Sequence, residues 1–181
     1  LNDQNNSNGA YGNLIGHVRI YDWNGNLWLQ RGQDIDGEAL ADKSGSSVSL
    51  TSNGNTVAIG ADWNDGNGNN SGHVRIYDWN GSLWLQRGQD IDGEAAEDQS
   101  GSSISISSDG NSIAMGAWWN DGNGFGSGHV RIYDWNGSLW LQRGQDIDGE
   151  AAYDQSGGSV SLSSDGNTIA IGARLNDQNN S

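Results

Sequence analysis

Gly16-His-Val-Arg-Ile-Tyr-Asp-Trp-Asn-Gly25 stands again at Gly72 to Gly81 and at Gly128 to Gly137, a fixed period of 56 residues. In the first copy Val18 to Trp23 meets Leu27-Trp-Leu-Gln-Arg31 across Asn24-Gly25, residue types that accept the positive φ angles of a tight hairpin turn. A two-residue turn there pairs Asp22 with Leu27, Tyr21 with Trp28, Ile20 with Leu29 and Arg19 with Gln30. Aromatic side chains then lie on one face of the hairpin and aliphatic ones on the other.

A second hairpin follows in each copy. Val48-Ser-Leu-Thr-Ser turns through Asn53-Gly54 into Asn55-Thr-Val-Ala-Ile-Gly60, pairing Leu50 with Val57 and Val48 with Ile59. The later copies set Ile106 opposite Ile113 and Leu162 opposite Ile169. Period-2 alternation with β-branched residues specifies strands throughout, and only Glu38-Ala-Leu-Ala41 and its counterparts suit a helical turn. Each unit therefore supplies four short antiparallel strands with apolar side chains on both faces. Such a repeat buries itself against copies of itself, as propeller blades do and as a stacked β-solenoid also does. Propeller blades are the favoured reading.

Composition bounds the rest. Of 181 residues, 33% are hydrophobic and 29 are glycine, so a thin apolar supply must be well placed; with neither proline nor cysteine, disulfides and zinc-cysteine sites are excluded. A net charge of −15 argues against nucleic acid and anionic membrane surfaces, which reward basic proteins through counterion release. Cations, neutral sugars and other proteins are the partners this charge allows. No apolar run is long enough to span a bilayer, so no membrane insertion is expected, and the polar first residues do not read as a signal peptide.

Ser-Gly-Ser-Ser-Val-Ser-Leu, an Asn/Asp-Gly turn, Val-Ala-Ile-Gly-Ala, a polar loop and Gly-His-Val-Arg-Ile-Tyr together resemble the FG-GAP repeat of integrin-like β-propellers, over nearly the whole chain. The family's Phe-Gly position reads Ser44-Gly45, Ser100-Gly101 and Ser156-Gly157, and its Gly-Ala-Pro reads Gly60-Ala61-Asp62, Gly116-Ala117-Trp118 and Gly172-Ala173-Arg174. Where that family carries an Asp-rich calcium loop, this chain has Ser52-Asn-Gly-Asn55, Ser108-Asp-Gly-Asn111 and Ser164-Asp-Gly-Asn167. One carboxylate falls short of the six to eight oxygens that calcium takes. The resemblance implies the fold and not the family's usual metal site.

In that frame residues 1–181 form a single repeat array: a linker and half blade over 1–43, blades over 44–99 and 100–155, and a half blade with linker over 156–181. One blade is thus split between the two ends. Three blades are fewer than the four to eight of a closed ring, so self-association is expected, as a dimer or as a head-to-tail polymer. Leu1-Asn-Asp-Gln-Asn-Asn-Ser7 recurs as Leu175 to Ser181, at an offset of 174 residues, which suggests one period of a longer array, an artificially duplicated end being the other reading.

Two constellations are candidate sites. Gln-Asp-Ile-Asp-Gly-Glu places Asp34, Asp36, Glu38 and Asp42, then Asp90, Asp92, Glu94 and Asp98, then Asp146, Asp148, Glu150 and Asp154, on short loops. Alternating carboxylates around a glycine could wrap a hard cation such as calcium, while the same aspartates also build turns through backbone hydrogen bonds. In the loop between hairpins, Trp63, Asn64 and Asp65, and again Trp119, Asn120 and Asp121, combine a ring with amides and carboxylates, the chemistry of glycan binding; a plain connector is the competing reading. The three histidines open equivalent strands one repeat apart and read as structural, as do Trp28, Trp84 and Trp140 in mid-strand.

No nucleophile elbow, Cys/His pair, zinc-binding His pair or phosphate loop is present in the sequence. The expectation from sequence is a non-catalytic structural or adhesive component, extracellular or on the cell surface, assembling into oligomers or filaments by completing the split blade between chains. It would bind glycans or surface proteins. A multivalent lectin-like propeller is the alternative.

Overall fold

A computed structural model describes residues 14–177, all of it strand, turn and loop without a helix. The duplicated heptapeptide at 1–7, and Gln178 to Ser181 of its second copy, lie outside the described residues. The expected all-β, antiparallel, blade-type fold is what forms.

The first repeat gives β1 (His17–Val18), β2 (Tyr21–Trp23), β3 (Trp28–Gln30) and β4 (Ile35–Asp36). The second gives β5 (Ser47–Leu50), β6 (Thr56–Ala61), β7 (His73–Trp79), β8 (Trp84–Gln86) and β9 (Ile91–Asp92). The third gives β10 (Ser103–Ile106), β11 (Ser112–Ala117), β12 (His129–Trp135), β13 (Trp140–Gln142) and β14 (Ile147–Asp148), and β15 (Ser156–Leu162) with β16 (Ile169–Ala173) closes the series. Two sheets are complete, in the orders β5-β6-β7-β8 and β10-β11-β12-β13, each with its last short strand paired to the first half of the third. At the ends β15-β16, β1-β4 and β2-β3 remain two-stranded, so the split blade is not closed among the described residues.

The second hairpins pair as expected, with Leu50 opposite Val57, Ile106 opposite Ile113 and Leu162 opposite Ile169. The first hairpin differs. Trp23 pairs with Trp28 and Asp22 with Leu29, because the connection holds four residues rather than two. The Asn24 side chain accepts hydrogen bonds from the backbone N–H of Asn26 and Leu27, both at 2.9 Å, and this Asx-type closure overrides the tighter turn. The register moves by two, so each side chain keeps its face. The Glu38 segment makes a turn in which Ala41 and Lys43 take positive φ, with no helical residues.

The core is a set of layers between blades. One holds Val18, Ile20, Ile35, Val57, Ile59 and Trp84; the next holds Ala58, Val74, Ile76, Ile91, Ile104 and Trp140. A third packs Val130 and Ile132 beneath Val160 and Ile171. Successive residues of one strand serve opposite layers, as Val57 and Ala58 do, which is why both faces had to be apolar. The indole N–H of Trp84 donates to the Arg31 carbonyl at 2.9 Å, and that of Trp140 to the Arg87 carbonyl at 3.0 Å.

Candidate functional site

The acidic loop is in part a strand. Ile35 and Ile91 are buried, so the aspartates on either side of each turn away from the core. The four carboxylates of the first loop nonetheless go to different partners: Asp34 and Asp36 share the outer face of the strand, Glu38 pairs with Arg75, and Asp42 accepts from Ala39 N–H and Asn64. Asp34 accepts from Arg19 at 2.8 Å, and Asp146 takes a bidentate pair from Arg131 at 2.7 and 2.8 Å. These guanidinium bonds hold both carboxyls below the usual range. Asp92, facing no cation of that kind, is pushed up by burial and by neighbouring Asp90. Asp36 and Asp148 occupy the corresponding places, opposite His17 and His129 in the ladders.

Asp42, Asp98 and Asp154 are buried turn builders. Asp42 accepts from Ala39 N–H and from the Asn64 amide, Asp98 from Ala95 N–H and Asn120, and Asp154 from Ala151 N–H and Asn176. Asn64 and Asn120 are committed at their other end as well, accepting from Gly66 and Gly122 N–H at 2.8 Å. Asp65 accepts from Asn70 N–H and Asp121 from Gly126 N–H. The amides and carboxylates expected to meet sugar hydroxyls are therefore engaged inside their own loops. Lys43 Nζ sits 2.9 Å above the Trp63 ring, and Trp119 lies between Trp118, tilted against it, and Phe125, which meets it edge to face. Replacing Asn120 with alanine leaves the buried Asp98 carboxylate short of a donor, and urea unfolding should show a loss of about 1–3 kcal/mol.

The blade junctions bring together residues that no single loop contains. Glu38 of the first repeat reaches across to Arg75 at 3.1 Å, while Arg75 also donates to the Asp36 carbonyl at 3.2 Å and its buried Nε finds no acceptor. Beside them His73, its side chain 2% exposed, points Nδ1 at Asp90 from 3.9 Å. One junction on, Arg131 Nη2 bridges Glu94 at 2.5 Å and Asp146 at 2.7 Å, and His129 Nδ1 lies 3.9 and 3.8 Å from the same two carboxylates. In each junction the glutamate, histidine and aspartate ligand atoms all fall within 4.8 Å of one another.

Burial lowers the proton affinity of His73 and His129, with Arg75 and Arg131 adding to the effect against their acidic neighbours. Both rings are thus neutral in the folded chain at pH 7. In the unfolded chain each regains an ordinary value near 6.5 and binds a proton below it. Their stabilising contribution is full above pH 6.5 and fades as pH falls toward the lowered folded value. Stability measured between pH 7.5 and 5 should fall less in a His73→Gln, His129→Gln double variant than in the parent.

Sequence reasoning held the histidines to be structural because they stand 56 residues apart. They do stay apart, but His73 and His129 each lie among acids from the repeat before and from their own. The signal was the constant spacing of Glu38 to His73 and Glu94 to His129, which becomes informative once adjacent repeats are known to stack. Phe125 and Tyr153, which extend the Trp118–Trp119 stack in the third repeat alone, have no counterpart to reveal them.

No family model matches the chain, and no curated protein matches it. Among solved structures it is similar to a Bacteroides uniformis protein named as a proposed 6-phosphogluconolactonase, with a TM-score of 0.59 and 12% identity over 87% of this chain and 41% of that one. The chain thus spans about two-fifths of that protein's length. At this identity the likeness shows the fold alone. It nevertheless corrects the expected function: repetition of blades had been read as the mark of a non-catalytic structural or adhesive protein, and a chain of the same fold carries an enzyme's name. Fold and repetition do not exclude catalysis.

Proposed function

We propose that this chain is a divalent-cation-binding array of propeller-type blades, with one ion at each complete junction, held by Glu38, His73 and Asp90 and by Glu94, His129 and Asp146. The observation that carries the reading is the recurrence of a mixed imidazole and carboxylate set in both junctions. One nitrogen and two oxygens suit zinc better than calcium, which prefers an all-oxygen shell. Ligand atoms about 2.1 Å from a tetrahedral ion stand roughly 3.4 Å apart, so the 3.8 and 3.9 Å nitrogen–oxygen separations need shifts of a few tenths of an ångström, and the remaining pairs, all within 4.8 Å, need larger side-chain adjustment. The neutral imidazoles need lose no proton to bind.

Arginine competes with the ion. Arg131 already spans Glu94 and Asp146, whereas the Arg75 pair touches Glu38 and leaves Asp90 to Gln86 and His73. The Glu38 site should be the tighter of the two. Calorimetric titration with zinc at pH 7.5 is expected to give two sites per chain, both lost in the His73→Ala, His129→Ala double variant. Absence of binding, or binding that survives the double variant, overturns the reading.

The likeness to a protein named as a lactonase supports a second, dependent reading. Zinc held by three protein ligands lowers the pKa of bound water to about 7 and yields a hydroxide nucleophile for ester or lactone hydrolysis. The zinc-loaded chain would then hydrolyse 6-phosphogluconolactone faster than zinc in buffer. Equal rates reject catalysis and leave cation binding standing.

A further inference from the structure

We infer that the loops at one end of the sheets form a recognition rim, where the paired rings of Phe125 and Tyr153 seat an arginine side chain of a basic peptide segment. The repeats differ unevenly. Leu27 to Ala39 recurs unchanged at Leu83 to Ala95 and at Leu139 to Ala151, and core exchanges such as Ile59, Met115 and Ile171 keep an apolar side chain. Exchanges of character gather in two loops: Ala41 becomes Glu97 and Tyr153, Asp62 becomes Trp118 and Arg174, and Asn69 becomes Phe125. His73 pairs with both Ala61 and Asp92, which puts the loop leaving β6 and the loop leaving β9 at the same end of the sheet.

The two loops meet, and their frame is constant. Glu97 N–H donates to the Asn69 carbonyl at 2.7 Å, and Tyr153 N–H to the Phe125 carbonyl at 2.8 Å. Ala41, Glu97 and Tyr153 hold φ at 73°, 69° and 69°, an uncommon conformation for residues other than glycine. One backbone shape kept under three unlike side chains is a platform that displays them. Asn69 and Glu97 are exposed although repeats flank them on both sides, so the openness belongs to the loops and not to the ends of the chain. Phe125 and Tyr153, at the same places one repeat on, are 50% and 58% exposed.

The chain itself shows what rings on this rim accept. Arg174 lies 5.0 Å above the Trp118 ring, as Lys43 lies above Trp63, so both of these rim cations are already seated on indoles. Phe125 and Tyr153, with centroids 5.4 Å apart and planes tilted by 58°, carry no described cation over their faces. Glu97, Asp121 and Glu150 of the same loops accept from amide N–H groups and from no described cation, so their negative charge stays uncompensated. A guanidinium laid against the Phe125–Tyr153 pair would stack on an aromatic face with these carboxylates around it. The net charge of −15 draws basic segments toward the rim and repels acidic ones.

The test is fluorescence anisotropy of a labelled hexa-arginine peptide titrated with the 181-residue chain in chelator, which keeps the outcome independent of the cation reading. The Phe125→Asn, Tyr153→Ala double variant carries the residues of Asn69 and Ala41 at the same places and leaves the net charge unchanged, so its dichroism and melting temperature should match the parent's. It is expected to bind the peptide about tenfold more weakly, at roughly two- to fivefold for each ring lost from an exposed cation–π contact. Asn69→Phe, Glu97→Tyr, which sets the same rings one repeat earlier, should add a second bound peptide per chain. Binding carried by net charge alone would survive the first double variant and overturn the inference, as would a parent that takes no peptide or transplanted rings that add no site.

Discussion

Trp140→Ala should lower the free energy of unfolding by about 3–5 kcal/mol, the range for emptying a large aromatic site in a packed core. The neighbouring Leu141→Ala should cost less than about 1 kcal/mol, because Leu141 lies half exposed on the opposite face. The asymmetry follows from the two-sided blade. Trp140 enters the layer between the second and third repeats, packs with Ile91, Ile104 and Trp135, and donates its indole N–H to the Arg87 carbonyl. Its backbone is gripped by Gln89, whose side chain accepts from Trp140 N–H at 3.2 Å and donates to its carbonyl at 2.9 Å. Alanine leaves a cavity and a buried carbonyl without its donor. Urea unfolding followed by dichroism measures both variants, and equal losses at the two positions would reject the interblade packing.

The fold was legible because the strands alternate and the repeat is nearly perfect. Val48-Ser-Leu and Val57-Ala-Ile could pair in only one way that put their apolar residues together, and they do. The Asn24 turn escaped, since Asn-Gly suits both a two-residue turn and the Asn-capped four-residue connection that forms. Trp28 was read as core from its mid-strand place and is exposed. The strand is as expected; Trp84 and Trp140 are covered by the preceding repeat, to whose Arg31 and Arg87 carbonyls their indoles donate, and no described residue covers Trp28 in that way. The site was legible only in its parts. Loop spacing groups Asp34 with Glu38, but stacking sends Glu38 forward to Arg75 and His73, and contacts between repeats leave no mark on spacing within one.

Gly116→Ala is expected to be among the most damaging single-methyl changes at the described residues. A Cβ there would stand 2.0 Å from the Gly157 carbonyl oxygen and 2.6 Å from Ser103 Oγ. Ser103 can rotate, but the carbonyl cannot retreat. Gly157 is held at φ 81°, a conformation that fixes its peptide, and its oxygen accepts the Ser103 hydroxyl at 2.7 Å. The added methyl therefore has to part β11 from β15 where the blades come closest. Forced repacking of this kind typically costs about 1–3 kcal/mol and occasionally more; the backbone contact puts Gly116→Ala at the upper end. Gly60 repeats the arrangement one junction earlier, 2.1 Å from the Gly101 oxygen, so a Gly60→Ala, Gly116→Ala double variant should lose about the sum of the two, as independent sites do. Gly158→Ala is the control, because its nearest neighbour would be the Gln155 oxygen at 3.3 Å. A glycine inside a strand pattern signals either weak packing or close approach of another backbone. If Gly116→Ala is as well tolerated as Gly158→Ala, the blades do not meet through Gly116 and Gly157, and the layered stacking that builds both junction clusters fails with them.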